Sequence, residues 1–267
     1  MKYPIGFAAE ESGRPGKPDS VPAAPDFRVR SCLVHVFFPG AGRTLTYYND
    51  SFCLKEGDIV FVDGVMAGCA GEVRKILYNF KIRPENYKKI LSAADTDVHG
   101  ELLLTGSCFL SFSPSQLPVS RVRSWFLPPQ EEFLTGTDET EFPLRQPPFS
   151  LFPEQIRERG RQYCDEGRVV YLTLNAEQGY AIVLGSAPYE VEFTLRDDCI
   201  SHLTCTCPCS ENCKHQYAVL LQLTQLLDLI SGRFEGACQT NRYFAAVEKS
   251  ALYSYVLSGR DSGSVIL

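Results

Sequence analysis

Between residues 27 and 112 the apolar positions come in short runs rather than in helical stripes. Cys32-Leu-Val-His-Val-Phe-Phe38, Thr44-Leu-Thr-Tyr-Tyr48 and Ile59-Val-Phe-Val62 are closed by Pro-Gly, Asn-Asp and Asp-Gly, and a longer run covers 72–82. Short β-branched and aromatic runs between such turn signals predict the strands of a small antiparallel barrel. Residues 84–94, opened by Pro84, predict a short helix. A further strand region is expected over 102–112, and irregular chain from Pro114 through Pro118 to Pro129.

The pattern changes beyond an acidic, proline-rich stretch at 130–148, which reads as a linker. Residues 153–166 predict a helix with Pro153 at its start and Gly167 at its stop. Strands follow over 169–174 and 180–184. Tyr189-Glu-Val-Glu-Phe-Thr-Leu195 alternates strictly, as a half-buried strand does, and 199–205 completes the meander. An apolar helical pattern runs over 217–230, and 243–257 reads as a further helix closing the core or, as the second choice, a partner surface. The fold class is therefore α+β. It divides into a flexible leader (1–26), a small antiparallel β-barrel-like domain (27–129), the linker (130–148) and a C-terminal β-meander with helices (149–267).

Composition narrows the setting. The chain has 267 residues, 44% apolar and 22% charged, which suits packed cores and not global disorder. A net charge of −6 gives the whole protein no pull toward phosphate backbones or anionic membranes. No run approaches the ~18 apolar residues of a membrane span, and charges and a proline break up the first residues, so a cytoplasmic location is expected. In that setting an odd total of 11 cysteines argues for buried thiols and a metal site rather than disulfides. The seven scattered ones (Cys32, Cys53, Cys69, Cys108, Cys164, Cys199, Cys238) are expected to act as small core hydrophobes.

The other four cluster in Cys205-Thr-Cys207-Pro-Cys-Ser-Glu-Asn-Cys213-Lys-His215. Three thiols and one imidazole satisfy the tetrahedron of a structural Zn²⁺, and a closed set of four leaves no open position for catalysis. Strand alternation would send Cys205 and Cys207 to one side, and Pro208 with Ser210-Glu-Asn212 would bend the chain back. Cys213 and His215 would then be fixed by the start of the following helix, whose dipole suits a thiolate. The metal ligands are thus Cys205, Cys207, Cys213 and His215, holding one structural zinc. Cys209 competes with Cys207 or Cys213 for the third thiolate. Alternation places His202 on the opposite face as a surface residue, and His35 and His99 read as ordinary strand and loop histidines.

Two resemblances follow from these residues. Leu54-x-x-Gly57-Asp58-x-Val60-x-Val62 with Gly71-x-Val73 resembles SH3-like barrels and, loosely, the DNA 3′-end-binding domain of primosomal helicases. Cys205-x-Cys207 with Cys213-x-His215 resembles the SWIM zinc finger. Its context does too: Arg159-Gly-Arg-x-Tyr163-x-x-x-Gly167-Arg-Val169, Gly185-Ser-x-x-Tyr189-x-Val191, Cys205-x-Cys207-Pro and Cys213-Lys-His215-x-x-Ala218-Val-Leu220. The likeness covers 149–227, 79 residues, and departs from the pattern at Cys209, where many relatives carry an aromatic residue. It implies a zinc finger of the kind found with bacterial Swi/Snf-type helicases, binding DNA or protein.

No catalytic residues are expected. The chain contains no Gly-x-x-x-x-Gly-Lys-Ser/Thr loop, no recognisable Ser-His-Asp arrangement and no open three-ligand metal site. An accessory module that binds DNA would draw on Arg157, Arg159, Arg161 and Arg168. Against it, residues 154–267 hold 10 Lys/Arg and 14 Asp/Glu, a net of −4. That balance suits a module docking onto a protein, such as a separately encoded Swi/Snf-type helicase. Neither a membrane nor a small-molecule substrate is expected.

Overall fold

A computed structural model of the chain describes residues 29–81, 83–129, 140–209, 212–234, 236–237 and 242–257, and the backbone of the strand β1 (Pro4–Ile5). The rest of the expected leader, the acidic run at 130–139, Ser210-Glu211, Cys238 and 258–267 lie outside the described residues.

The first sheet has five strands: β2 (Cys32–Phe38), β3 (Arg43–Asn49), β4 (Ile59–Val62), β5 (Ala70–Leu77) and β6 (Ile90–Ala93), in the order β3-β2-β5-β4-β6. All its ladders are antiparallel. Val34, Val36, Phe38, Val60, Val62 and Val73 fill its core. Among the described residues one parallel bridge, Tyr48 with Lys89 just before β6, links the two edges, so the sheet curls without closing into a barrel. The helix expected over 84–94 is instead a 3₁₀ turn, Pro84–Asn86, followed by β6. An isolated helix that short is marginal in water. Pairing of Ile90–Ala93 with β4 satisfies the backbone and buries Ile90.

The second sheet carries eight strands. After the short β7 (Gly100–Glu101), which pairs with β1, come β8 (Leu103–Thr105), β9 (Cys108–Ser111), β10 (Phe142–Pro143), β11 (Val169–Asn175), β12 (Gln178–Leu184), β13 (Pro188–Arg196), β14 (Cys199–Cys205) and β15 (Tyr243–Glu248). The spatial order is β10-β14-β13-β12-β11-β15-β9-β8, antiparallel throughout. Helices cover both faces. α2 (Glu154–Asp165) and α3 (Lys214–Arg233) lie over one, while α1 (Val119–Phe126), α4 (Lys249–Leu252) and a final π turn, Tyr253–Leu257, lie over the other. An antiparallel sheet usually shows one face to water and alternates accordingly. Here β11, β12 and β15 are buried on both faces, which accounts for their nearly unbroken apolar runs.

Three segments take a different form from that expected. The Ala-rich 243–248 is a central strand between β11 and β9 and not a helix, because the backbones on either side need a hydrogen-bonding partner. The chain after Pro114 holds α1, whose Trp125 is fully buried and donates through Nε1 to the Asp95 carbonyl at 2.6 Å. Residues 103–126, placed with the first unit on sequence grounds, thus join the second sheet and its core. Within the expected linker, Phe142 and Leu144 are buried and β10 pairs with β14. Of the scattered cysteines, Cys32, Cys108 and Cys164 are buried, Cys199 is half-buried, and Cys53 and Cys69 are exposed.

Candidate metal centre

Each donor reaches the cluster by a local cause. Cys205 ends β14, which pairs with β13 at Val191. Cys207 lies just past the strand, where the chain leaves the sheet. Cys213 is the N-cap of α3 and has extended backbone, and His215 stands in the first turn. Gln216 locks this geometry. Its side-chain oxygen accepts from the Cys213 N–H at 2.7 Å, and its amide donates to the Leu203 carbonyl on β14 at 3.0 Å. The helix start and the strand end are therefore tied by one buried amide, in the manner of a capping box.

The sulfurs of Cys205, Cys207 and Cys213 and a ring nitrogen of His215 all lie within 4.8 Å of one another. His215 turns Nδ1 toward the thiols, 3.8 Å from the Cys205 Sγ and 3.7 Å from the Cys213 Sγ. Bonds of about 2.3 Å to sulfur and 2.0 Å to nitrogen in a tetrahedron require donor separations of about 3.5–3.8 Å. These residues fit a metal ion. Among the described residues no other group of His, Cys, Asp or Glu donors comes together in this way. Cys209 is exposed and outside the cluster.

Electrostatics fit the same reading. The Cys205 thiol donates toward Cys213 and, with help from His215 and the Gln216 backbone, holds Cys213 down to about 4 despite burial. The same contact, added to burial, pushes Cys205 well up, and burial lifts Cys207 to about 11. Negative charges on neighbouring sulfurs repel one another at this distance, so the thiols resist ionising together. A divalent cation removes that repulsion and lets all three sulfurs ionise. The other ring nitrogen of His215, Nε2, is buried and has no hydrogen-bond partner among the described residues.

Aromatic side chains hold the imidazole. Tyr189 stacks on it at 4.6 Å between centroids, and Tyr163 of α2 lies 5.4 Å away. Gly185 makes the stack possible, since a Cβ there would come 2.8 Å from the Tyr189 ring and 3.1 Å from His215 Nε2. Gly160 performs the same service between helices, because a Cβ would meet Tyr217 at 2.7 Å. Tyr163, Tyr189, Gly160 and Gly185 belong to the resemblance quoted above, so sequence pattern reached them without assigning their contacts. The structural roles of Gln216 and of the buried pair Arg123–Glu190, described next, had no sequence signal.

Arg123 of α1 and Glu190 of β13 form a bidentate pair at 2.7 and 3.2 Å under the opposite face of the sheet, and Tyr180 donates to the same carboxylate at 2.7 Å. Alternation places Glu190 away from the metal face, but α1 covers it instead of water. His202, expected on the far face by alternation, is exposed at a bulge in β14 where its φ is 51°. His35 is half-buried in β2 and His99 is exposed.

The basic face expected on α2 is largely occupied. Arg157 donates to the Phe152 and Pro147 carbonyls and lies over Phe149 and Tyr217. Arg161 pairs with Glu154, and Arg168 pairs with Glu166 and lies over Tyr163. Only Arg159 has no such partner among the described residues. Compared with protein families, characterised proteins and solved structures, the chain matches none. No helix among the described residues is long and apolar enough to cross a membrane.

Proposed function

We propose that this chain is a non-catalytic SWIM-type module in which one structural zinc, held by Cys205, Cys207, Cys213 and His215, shapes a surface that binds a macromolecular partner, nucleic acid or protein. The observation that carries the reading is the donor cluster, three sulfurs and one nitrogen within 4.8 Å at the junction of β14 and α3. Four protein donors complete a tetrahedral shell, so the metal would act as a fastener and not as a Lewis acid. Bound there, it supplies charge neutralisation for the thiolates and a cross-link between the last strand of the meander and α3. The SWIM assignment rests on the sequence pattern over 149–227.

A protein partner, such as a separately encoded Swi/Snf-type helicase, is favoured by a specific observation. Arg157 is held by backbone carbonyls, and Arg161 and Arg168 are paired with Glu154 and Glu166 at the surface, so α2 and its end carry little unpaired positive charge for a phosphate backbone.

Metal analysis of reduced, purified protein tests the centre. One zinc per chain is expected in the full chain, and none in a Cys205→Ser/Cys213→Ser variant. A metal-free protein that keeps the native near-UV signal of its buried aromatics would overturn it. Titration of labelled DNA at several salt concentrations separates the partners. Binding that weakens steeply with salt indicates nucleic acid, and no binding at low salt indicates a protein.

A further inference from the structure

Four thiols lie between positions 205 and 213, and the donor cluster uses three of them. The fourth, Cys209, is exposed. Cys207, Cys209 and Cys213 line one groove of about 920 Å³ beside α2 and the first turn of α3. Two cluster cysteines and the spare one therefore share an opening, through which a small uncharged oxidant meets them together.

The backbone brings the spare thiol to Cys207. The Cys209 N–H donates to the Cys207 sulfur, as the Cys207 N–H does to the Cys205 sulfur. The chain thus doubles back around Pro208. Two residues of chain reach at most about 7 Å, and disulfides join Cα atoms about 4.4–6.8 Å apart. A Cys207–Cys209 bond needs a side-chain rotation and a small backbone adjustment. The other two cysteines are held more firmly. Cys205 closes β14, and Cys213 caps α3 with its N–H on Gln216. Cys209 lies outside both elements and carries neither constraint.

We propose that Cys209 is the resolving thiol of a peroxide-sensitive switch, in which a Cys207–Cys209 disulfide withdraws Cys207 from the metal centre. The inference rests on the metal-centre reading above. The Cys207 thiolate attacks one oxygen of hydrogen peroxide. An S–O bond forms, the O–O bond breaks and hydroxide leaves, which makes Cys207 a sulfenic acid. The Cys209 sulfur then attacks the Cys207 sulfur. The S–S bond forms, the S–O bond breaks, and the departing hydroxyl leaves as water with the Cys209 proton. The two sulfurs give up two electrons, which reduce the peroxide to hydroxide and water. A disulfide offers no thiolate, so three donors remain and the grip on a cation is lost. A dithiol restores the pair. A sulfenic acid with no thiol to resolve it goes on to sulfinic acid, which a dithiol does not repair.

The test treats the zinc-loaded full chain with hydrogen peroxide. Zinc release is followed with a chromogenic chelator, and bonds are mapped by mass spectrometry of non-reduced digests. The parent chain is expected to release its zinc, show the Cys207–Cys209 bond, and regain full zinc stoichiometry after dithiothreitol and added zinc. Cys209→Ser keeps all four donors, so one zinc per chain is expected before treatment. After the same exposure it should regain no more than about half, with sulfinic acid at Cys207. Full recovery in Cys209→Ser, or a disulfide among Cys205, Cys207 and Cys213 in place of Cys207–Cys209, would each overturn the proposal. A chain with one zinc that forms no Cys207–Cys209 bond overturns the switch alone. A reduced chain that holds no zinc yet forms that bond with peroxide overturns the metal centre alone.

Discussion

Tyr189 and Glu190 are adjacent on β13, yet they belong to halves of the molecule fastened in different ways. Tyr189 stacks on His215 and belongs to the face where α2, α3 and the donor cluster meet. Glu190 belongs to the other face, where it receives Arg123 and Tyr180 inside a buried layer of aromatic and aliphatic side chains. The ion pair joins α1 to β13 across 67 positions of sequence, whereas the donor cluster lies within eleven residues. The ion pair is complete within the polypeptide. The thiol cluster has the donor set of a metal ion. If it holds one, that face depends on metal and pH, and the ion-paired face does not.

Stripping the metal should break this comparison most strongly. Structural zinc contributes on the order of 10 kcal/mol in small domains. A strong chelator, or Cys213→Ser, should therefore unfold the α2–α3 face, read as loss of near-UV circular dichroism and a collapse of Tm. Lowering the pH should act in the same direction, because protons compete with zinc for the sulfurs. If the chelator leaves Tm unchanged, the two faces do not differ in this way.

Breaking the ion pair should come next. With side chains 8% and 6% exposed, Arg123→Ala would strand a buried carboxylate, at a cost of about 3–5 kcal/mol in chemical denaturation. Arg123→Met combined with Glu190→Gln should recover much of that loss, since no lone buried charge remains. Neither variant should change zinc stoichiometry. If either did, the two faces would be coupled through β13.

Gly185→Ala should have a smaller effect confined to the metal face. Its methyl would sit 2.8 Å from the Tyr189 ring and 3.1 Å from His215 Nε2, and overpacking of that kind costs about 1–3 kcal/mol. Weakened zinc retention against a competing chelator is the expected readout. An unchanged metal affinity would mean that the Tyr189 stack does not position the imidazole.

The mildest effect concerns Cys164, a buried thiol of α2 outside the cluster. Burial pushes it from 9.0 up to about 11. Its thiol ionises later in the folded chain than in the unfolded one, so the native state holds an extra proton between those values. Stability should decline as pH rises through that window. At about pH 8, alkylation should reach the exposed Cys53 and Cys69 well before Cys164, as read by mass spectrometry. Rapid labelling of Cys164 in the zinc-loaded protein would mean that the α2–α3 interface opens even with the fastener in place.

Much of the candidate site was legible in the chain itself. Cys205, Cys207, Cys213 and His215 lie within eleven residues, so a strand end, a bend and a helix start were enough to bring them together. The strands at 32–38, 59–62 and 169–205 and the helices α2 and α3 were equally local matters, written in turn residues and periodicity. Tertiary structure decided what local pattern could not express. Residues 243–248 became a strand because β9 and β11 each had one edge to pair, and 103–126 joined the second sheet because its edge and far face needed covering. Glu190 looked like a solvent-facing residue of an alternating strand until α1, 67 positions away in sequence, brought Arg123 over it. The physical reason is range. Spacing and turn chemistry are fixed by neighbours along the chain, but the burial of a face and the pairing of a charge depend on which distant segment arrives to cover them.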